Sequence, residues 1–127
     1  MSAIAQGSFE VVIKPFGEDA PGRMSLDKVY SGDLAATGKG EMLTAMTGTS
    51  GSAGYVAIEL VTGTLAGRQG SFVLQHAAMM ARGVSQFLDV LIVPDSGSGG
   101  LLGIAGKLVI KVVERQHFYE LTYTLPA

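Results

Sequence analysis

Glu59 and His76 are the residues whose type and spacing best suit chemistry. Glu59 interrupts the apolar run Val56-Ala-Ile-Glu-Leu-Val61, and His76 ends Phe72-Val-Leu-Gln-His76. Side chains on a strand alternate between two faces, so an ionisable group inside such a run is held close to apolar neighbours. The two segments are joined by a turn around Gly67 and Arg68. A turn of two or four residues gives the flanking strands a parity that places both groups on one face. Glu59 then lies directly opposite His76, with Val61 opposite Leu74 and Ala57 opposite Ala78. A three-residue turn would send them to opposite faces. Opposed residues hold their Cβ atoms about 5 Å apart, near enough for a carboxylate to orient an imidazole. An imidazole so held can act as acid or base near neutral pH.

Tyr55 shares the Glu59 face by alternation and would add a hydroxyl. Glu41 and Leu43 join that face if the Gly48 to Gly54 connection pairs residues whose numbers have an even sum. The expected ligand-binding cluster is therefore Glu41, Tyr55, Glu59 and His76, with His76 and Glu59 as the candidate catalytic pair. Such a cluster reads in two ways. It can be a satisfied pair that fixes strand register, because an unpaired buried charge is costly. It can equally be a polar foothold in an apolar cavity, the usual anatomy of a small-molecule site. His117 and Glu120 are weaker candidates, since they alternate to opposite faces of the last strand. Two histidines and a glutamate could hold a metal, but their spacing supports no ligand set, so no metal and no cofactor are expected. Met42, Met46, Met79 and Met80 read as adaptable core filler that would also suit an apolar guest.

The elements carrying these groups follow a period close to two. Phe9, Val11 and Ile13 alternate with Glu10, Val12 and Lys14, and Pro15 with Gly17 ends the run. After a loop with Pro21 and Gly22 come Met24, Leu26, Tyr30 and Leu34, then Glu41 to Thr47. Tyr55 to Leu65 and Ser71 to Met80 are the longest clean strands; Phe87 to Val93, Ala105 to Glu114 and His117 to Leu125 complete the set. About eight strands at this spacing predict a single all-β domain over residues 1–127, a barrel or a sandwich. Gln75 to Val84 is the best helical segment, and strand is favoured there too.

A glycine-punctuated block occurs twice, as Gly63-Thr-Leu-Ala-Gly67-Arg-Gln-Gly70-Ser-Phe-Val-Leu74 and Gly99-Gly-Leu-Leu-Gly103-Ile-Ala-Gly106-Lys-Leu-Val-Ile110. Each copy reads as strand, tight turn, strand. The glycines do not make a phosphate loop, which needs a helix opening behind it, usually with a lysine. They suit turns and sheet corners instead.

Composition narrows the function classes. Hydrophobic residues make up 47% of 127 and charged residues 16%, an apolar balance for a domain of this size. A barrel with a greasy interior, or a subunit burying an outer face, accounts for the excess. With Glu59 facing inward, Val56, Ile58 and Leu60 form an outward apolar stripe, so a homo-oligomer is expected. A net charge of −2 offers no footprint for nucleic acid or for anionic lipid. The absence of cysteine excludes disulfides, thiolate metal sites and a cysteine nucleophile. No signal peptide is visible, and no apolar run approaches the roughly 18 residues needed to span a bilayer, so a cytoplasmic location is expected.

Tyr55-Val-Ala-Ile-Glu59, Gly63 to His76, Val93-Pro-Asp-Ser-Gly-Ser-Gly99 and Tyr119-Glu-Leu-Thr-Tyr-Thr-Leu-Pro126 closely resemble a bacterial family of uncharacterised domains, domain of unknown function 3224. Members of that family look like the barrel of plant allene oxide cyclase, and Ser98 to Val109 is similar to that enzyme's glycine-rich hairpin. The resemblance implies an eight-stranded antiparallel, lipocalin-like barrel. The resemblance to the cyclase is confined to this hairpin and carries over no catalytic role, so its reaction is not implied. The expectation is a barrel that binds a small hydrophobic molecule in its lumen. An isomerase or cyclase-like enzyme, or a structural protein with a filled barrel, are the alternatives.

Overall fold

The computed structural model describes residues 2–16 and 22–126; the loop expected through Gly17 and Pro21 lies outside the described residues. Nine strands follow in order: β1 (Ala3–Pro15), β2 (Arg23–Gly32), β3 (Leu34–Met46), β4 (Ala53–Leu65), β5 (Arg68–Ala81), β6 (Val84–Ile92), β7 (Ser98–Gly99), β8 (Ala105–Val113) and β9 (Gln116–Thr124). Eight of them close into an antiparallel barrel in the order β4-β3-β2-β1-β9-β8-β6-β5, with β5 returning to β4. No helix occurs among the described residues, and the Gln75 to Val84 segment is largely strand. Alternation along each strand sorts apolar residues inward, and closure removes most of the free sheet edge.

The β4–β5 turn is the two-residue Ala66-Gly67, both with positive φ, which matches the twist of a tight hairpin. Parity is therefore as the sequence suggests, but the register differs by two residues. His76 pairs with Ala57, Leu74 with Glu59 and Phe72 with Val61. The turn begins one residue earlier than a loop centred on Arg68 would, because Arg68 already pairs with Leu65.

The second glycine block is not a hairpin. Its opening Gly99 ends β7 and pairs with Gly70 of the first block, so the two copies abut. The following turn drives Leu101 and Ile104 into one end of the barrel, where each is 1% exposed. Leu34, Leu65, Phe72 and Leu121 pack around them in the main core. Tyr119 ties this end together: its hydroxyl accepts from the Leu34 amide at 2.8 Å and donates to the Ser31 carbonyl at 2.9 Å. Gly7 is required beside it, since a Cβ there would come within 2.6 Å of that hydroxyl.

The opposite half is built differently. Among the described residues Leu26, Met42 and Ala57 form its buried apolar cluster, with Val11, Met24 and Tyr55 half-buried against them. Along its wall β6 and β8 share one ladder pair, Leu91 with Lys107. Of the four methionines read as core filler, Met42 alone is buried; Met46, Met79 and Met80 are exposed. Met79 and Met80 sit at a register shift between β5 and β6, where the alternation that would bury one of them is lost.

Candidate functional site

The two halves meet at a layer of polar side chains. Glu59 on β4, His76 on β5 and Lys28 on β2 are 0%, 2% and 5% exposed. Glu59 Oε1 lies 2.8 Å from His76 Nε2 and 3.1 Å from Lys28 Nζ. Its Oε2 accepts a 2.5 Å hydrogen bond from the Tyr30 hydroxyl. The carboxylate thus gathers three donors from two other strands, β2 and β5, in charge-assisted geometry.

β3 makes this possible by carrying no side chain between them. Lys28 pairs with Gly38, and Gly40 pairs with Glu59. A Cβ on Gly38 would fall inside van der Waals contact of Glu59 Oε2. Neighbouring strands lie about 4.8 Å apart, so a glutamate on β4 reaches β2 only across such a gap. Lys28 Nζ also lies 3.4 Å from the Tyr30 hydroxyl and 4.7 Å from the centre of the Phe9 ring.

Electrostatics favour the ionised pair. Burial alone would raise the Glu59 pKa, but the His76 hydrogen bond, the Lys28 charge and the Tyr30 hydroxyl together hold it below the ordinary 4.5. Burial lowers the pKa of Lys28, and the Glu59 charge and hydrogen bond oppose it. Burial and the Glu59 charge push the Tyr30 phenol far up, so it remains a donor. Tyr55 is raised for the same two reasons.

An ionised carboxylate only accepts, so His76 Nε2 carries the hydrogen of this bond, and in that tautomer Nδ1 presents a lone pair. That nitrogen has no protein partner among the described residues, whereas every sealed side-chain N or O among them has one. Nδ1 is therefore on the accessible part of the ring. His76 and Lys28 both line a cavity of about 240 Å³ in the open half of the barrel. Its other walls include Leu26, Met42, Ile110 and Val112. Tyr55 lines it too, as does His117, whose ring packs 5.1 Å from that of Phe9.

Of the expected cluster, the fold unites Glu59 and His76 and brings Tyr55 to the same lumen. They touch diagonally rather than as a directly opposed pair. Glu41 lies elsewhere. The β3–β4 register pairs it with Ile58 on the outer face, where it forms an exposed 2.7 Å ion pair with Arg23. Leu43 faces outward with it, 59% exposed. Glu120 is also outside the lumen, accepting from Gln6. Among the described residues no group of three or more metal-binding side chains gathers. Lys28 and Tyr30 are the members that sequence reasoning missed. Their signal was present: Met24, Leu26, Lys28 and Tyr30 alternate with Ser25, Asp27, Val29 and Ser31.

The profile of a family described as "Protein of unknown function (DUF3224)" matches residues 5–123. A solved structure, described as a protein with unknown function from that family, from Shewanella oneidensis MR-1, is similar over 100% of both chains. It has 44% sequence identity and a TM-score of 0.91. No curated protein matches the chain.

Two outcomes test this account. Gly38→Ala should destabilise the barrel by about 2 kcal/mol through overpacking. In a Glu59→Ala background the same change should cost at least about 1 kcal/mol less, read as a double-mutant cycle in urea. Because the Glu59 pKa is lowered on folding, its ionised form contributes stability above the unfolded value of 4.5. That contribution is lost as pH falls below this value through the folded pKa. The wild-type urea midpoint should therefore fall below pH 4.5, and Glu59→Gln should flatten the fall.

Proposed function

Since the chain belongs to the DUF3224 family, whose description names no activity, we propose a function from the lumen itself: the barrel binds a small hydrophobic molecule in its open half. One observation supports this above the others. The 240 Å³ cavity has apolar walls and ends on Lys28 and His76, two polar groups that could anchor one end of a guest. At interior packing density it accommodates roughly ten non-hydrogen atoms. The filled half of the barrel gives the guest a floor, since its core leaves the polar layer nowhere to move.

His76 also supports an enzymatic alternative on the same barrel. Glu59 orients its ring and leaves Nδ1 accessible, an arrangement suited to a general base in an isomerase or cyclase-like reaction. The likeness to allene oxide cyclase stays with this alternative, as a resemblance of the Ser98 to Val109 segment. Binding is the simpler reading, because it needs only the cavity and its anchors.

The outer face supports a second copy of the chain as partner. Leu43, Val56 and Ile58 are each about half exposed and line one shallow groove with Arg23 and Glu41. An ion pair at the rim of an apolar patch is self-complementary across a two-fold axis.

In titration calorimetry, 1-octanol should bind with one site per chain. Val11→Trp, at the cavity wall, should weaken it about tenfold or more. Failure of the wild type to bind any eight-carbon alcohol, acid or amine would remove this function. Light scattering should give a mass that is a multiple of 13.2 kDa, reduced to the single chain by Ile58→Asp. A monomeric wild type would remove the oligomer.

A further inference from the structure

The charge balance of the polar layer narrows the guest, an inference that rests on the lumen-binding reading. Lys28 and Glu59 form a buried ion pair, so with the His76 ring holding only its Nε2 hydrogen the layer carries no net charge. These groups are nearly sealed from water, so any further unbalanced charge brought against them would be costly. The lining of the cavity adds no fixed charge. Beyond Lys28, its polar groups are the Tyr55 hydroxyl and the rings of His76 and His117.

We infer that the lumen is a site for a short-chain weak acid, taken up together with one proton that rests on His76. A carboxylate at the inner end of the cavity would meet Lys28 Nζ and the Nδ1 side of His76. Left unprotonated, the layer and ligand would sum to one negative charge in an apolar cavity. One proton from solvent on Nδ1 restores neutrality. The bound state then holds two cations, Lys28 and imidazolium, against two carboxylates. The step balances as carboxylate plus neutral imidazole plus one proton giving an ion pair, with no covalent bond to the ligand formed or broken.

Glu59 is already placed to support the imidazolium, since its Oε1 faces the opposite ring nitrogen at 2.8 Å. The groups facing His76 are Glu59 and Tyr55 from β4, Lys28 and Tyr30 from β2, and His117 across the cavity from β9. Of these, Glu59 and Lys28 carry opposite charges, and the ligand carboxylate adds a second anion beside the ring. An aliphatic amine of the same length would add a cation to a layer that already has one, and is disfavoured.

The wild-type protein tests this with octanoate, 1-octanol and octylamine. Calorimetry in buffers of different ionisation enthalpy should show octanoate binding with uptake of close to one proton at pH 7.5. Its affinity should fall about tenfold for each pH unit raised above that, as one-proton linkage requires. Long-range nitrogen-15 NMR should show His76 changing from the Nε2–H tautomer to the doubly protonated ring when octanoate binds. If 1-octanol binds while octanoate fails to bind, binds without proton uptake, or leaves His76 neutral, this inference is overturned and lumen binding stands. Octylamine binding more tightly than octanoate overturns it as well. If none of the three binds, the lumen reading falls and takes this inference with it.

Discussion

A single carboxylate organises the barrel. Glu59 is fully buried, and it accepts from Lys28, Tyr30 and His76 on β2 and β5. Were any of these donors absent, a charge would sit in an apolar interior without full compensation, at a cost of several kcal/mol. That constraint reaches into the sequence of β3, whose Gly38 and Gly40 leave room for the side chain to pass. It also fixes register. A one-residue slip in either neighbouring ladder would turn one partner to the outside.

The same layer divides the interior into two regimes. On one side, Leu101 and Ile104 descend from the turn after β7 and complete a solid core with Tyr119 as its cross-brace. On the other, Ala57 and Leu26 are too small to fill the cylinder, and a cavity remains. A barrel of eight strands is just wide enough to be filled by side chains or to hold one small ligand. This chain does the first at one end and leaves space for the second at the other.

Most of the architecture was legible because strands with a period of two and tight glycine turns are local signals. The Glu59–His76 face was readable only as one of two parities, and the two-residue Ala66-Gly67 turn selects it. The exact register was not readable, since it depends on which residue first rejoins the ladder. Glu41 was misplaced because the connection from Thr47 to Ser52 has no such rule, and its ladder pairs Met46 with Ala53. That parity exchanges the faces of β3, sending Glu41 out and bringing Gly40 and Met42 in. Lys28 was overlooked although its strand alternated plainly. A lysine normally reads as solvent-facing, and only the carboxylate two strands away makes its inward position tolerable.

The lone ladder pair between β6 and β8 has a consequence for the wall itself. Beyond Leu91 and Lys107, no further ladder pair joins these strands among the described residues, beside Leu88, Ile110 and Val112. The wall is held there by one pair, whereas every other ladder of the barrel has seven or more. Such bare margins also invite foreign strands to zip on, and Lys107 and Lys111, solvent-facing on β8, would repel that adhesion.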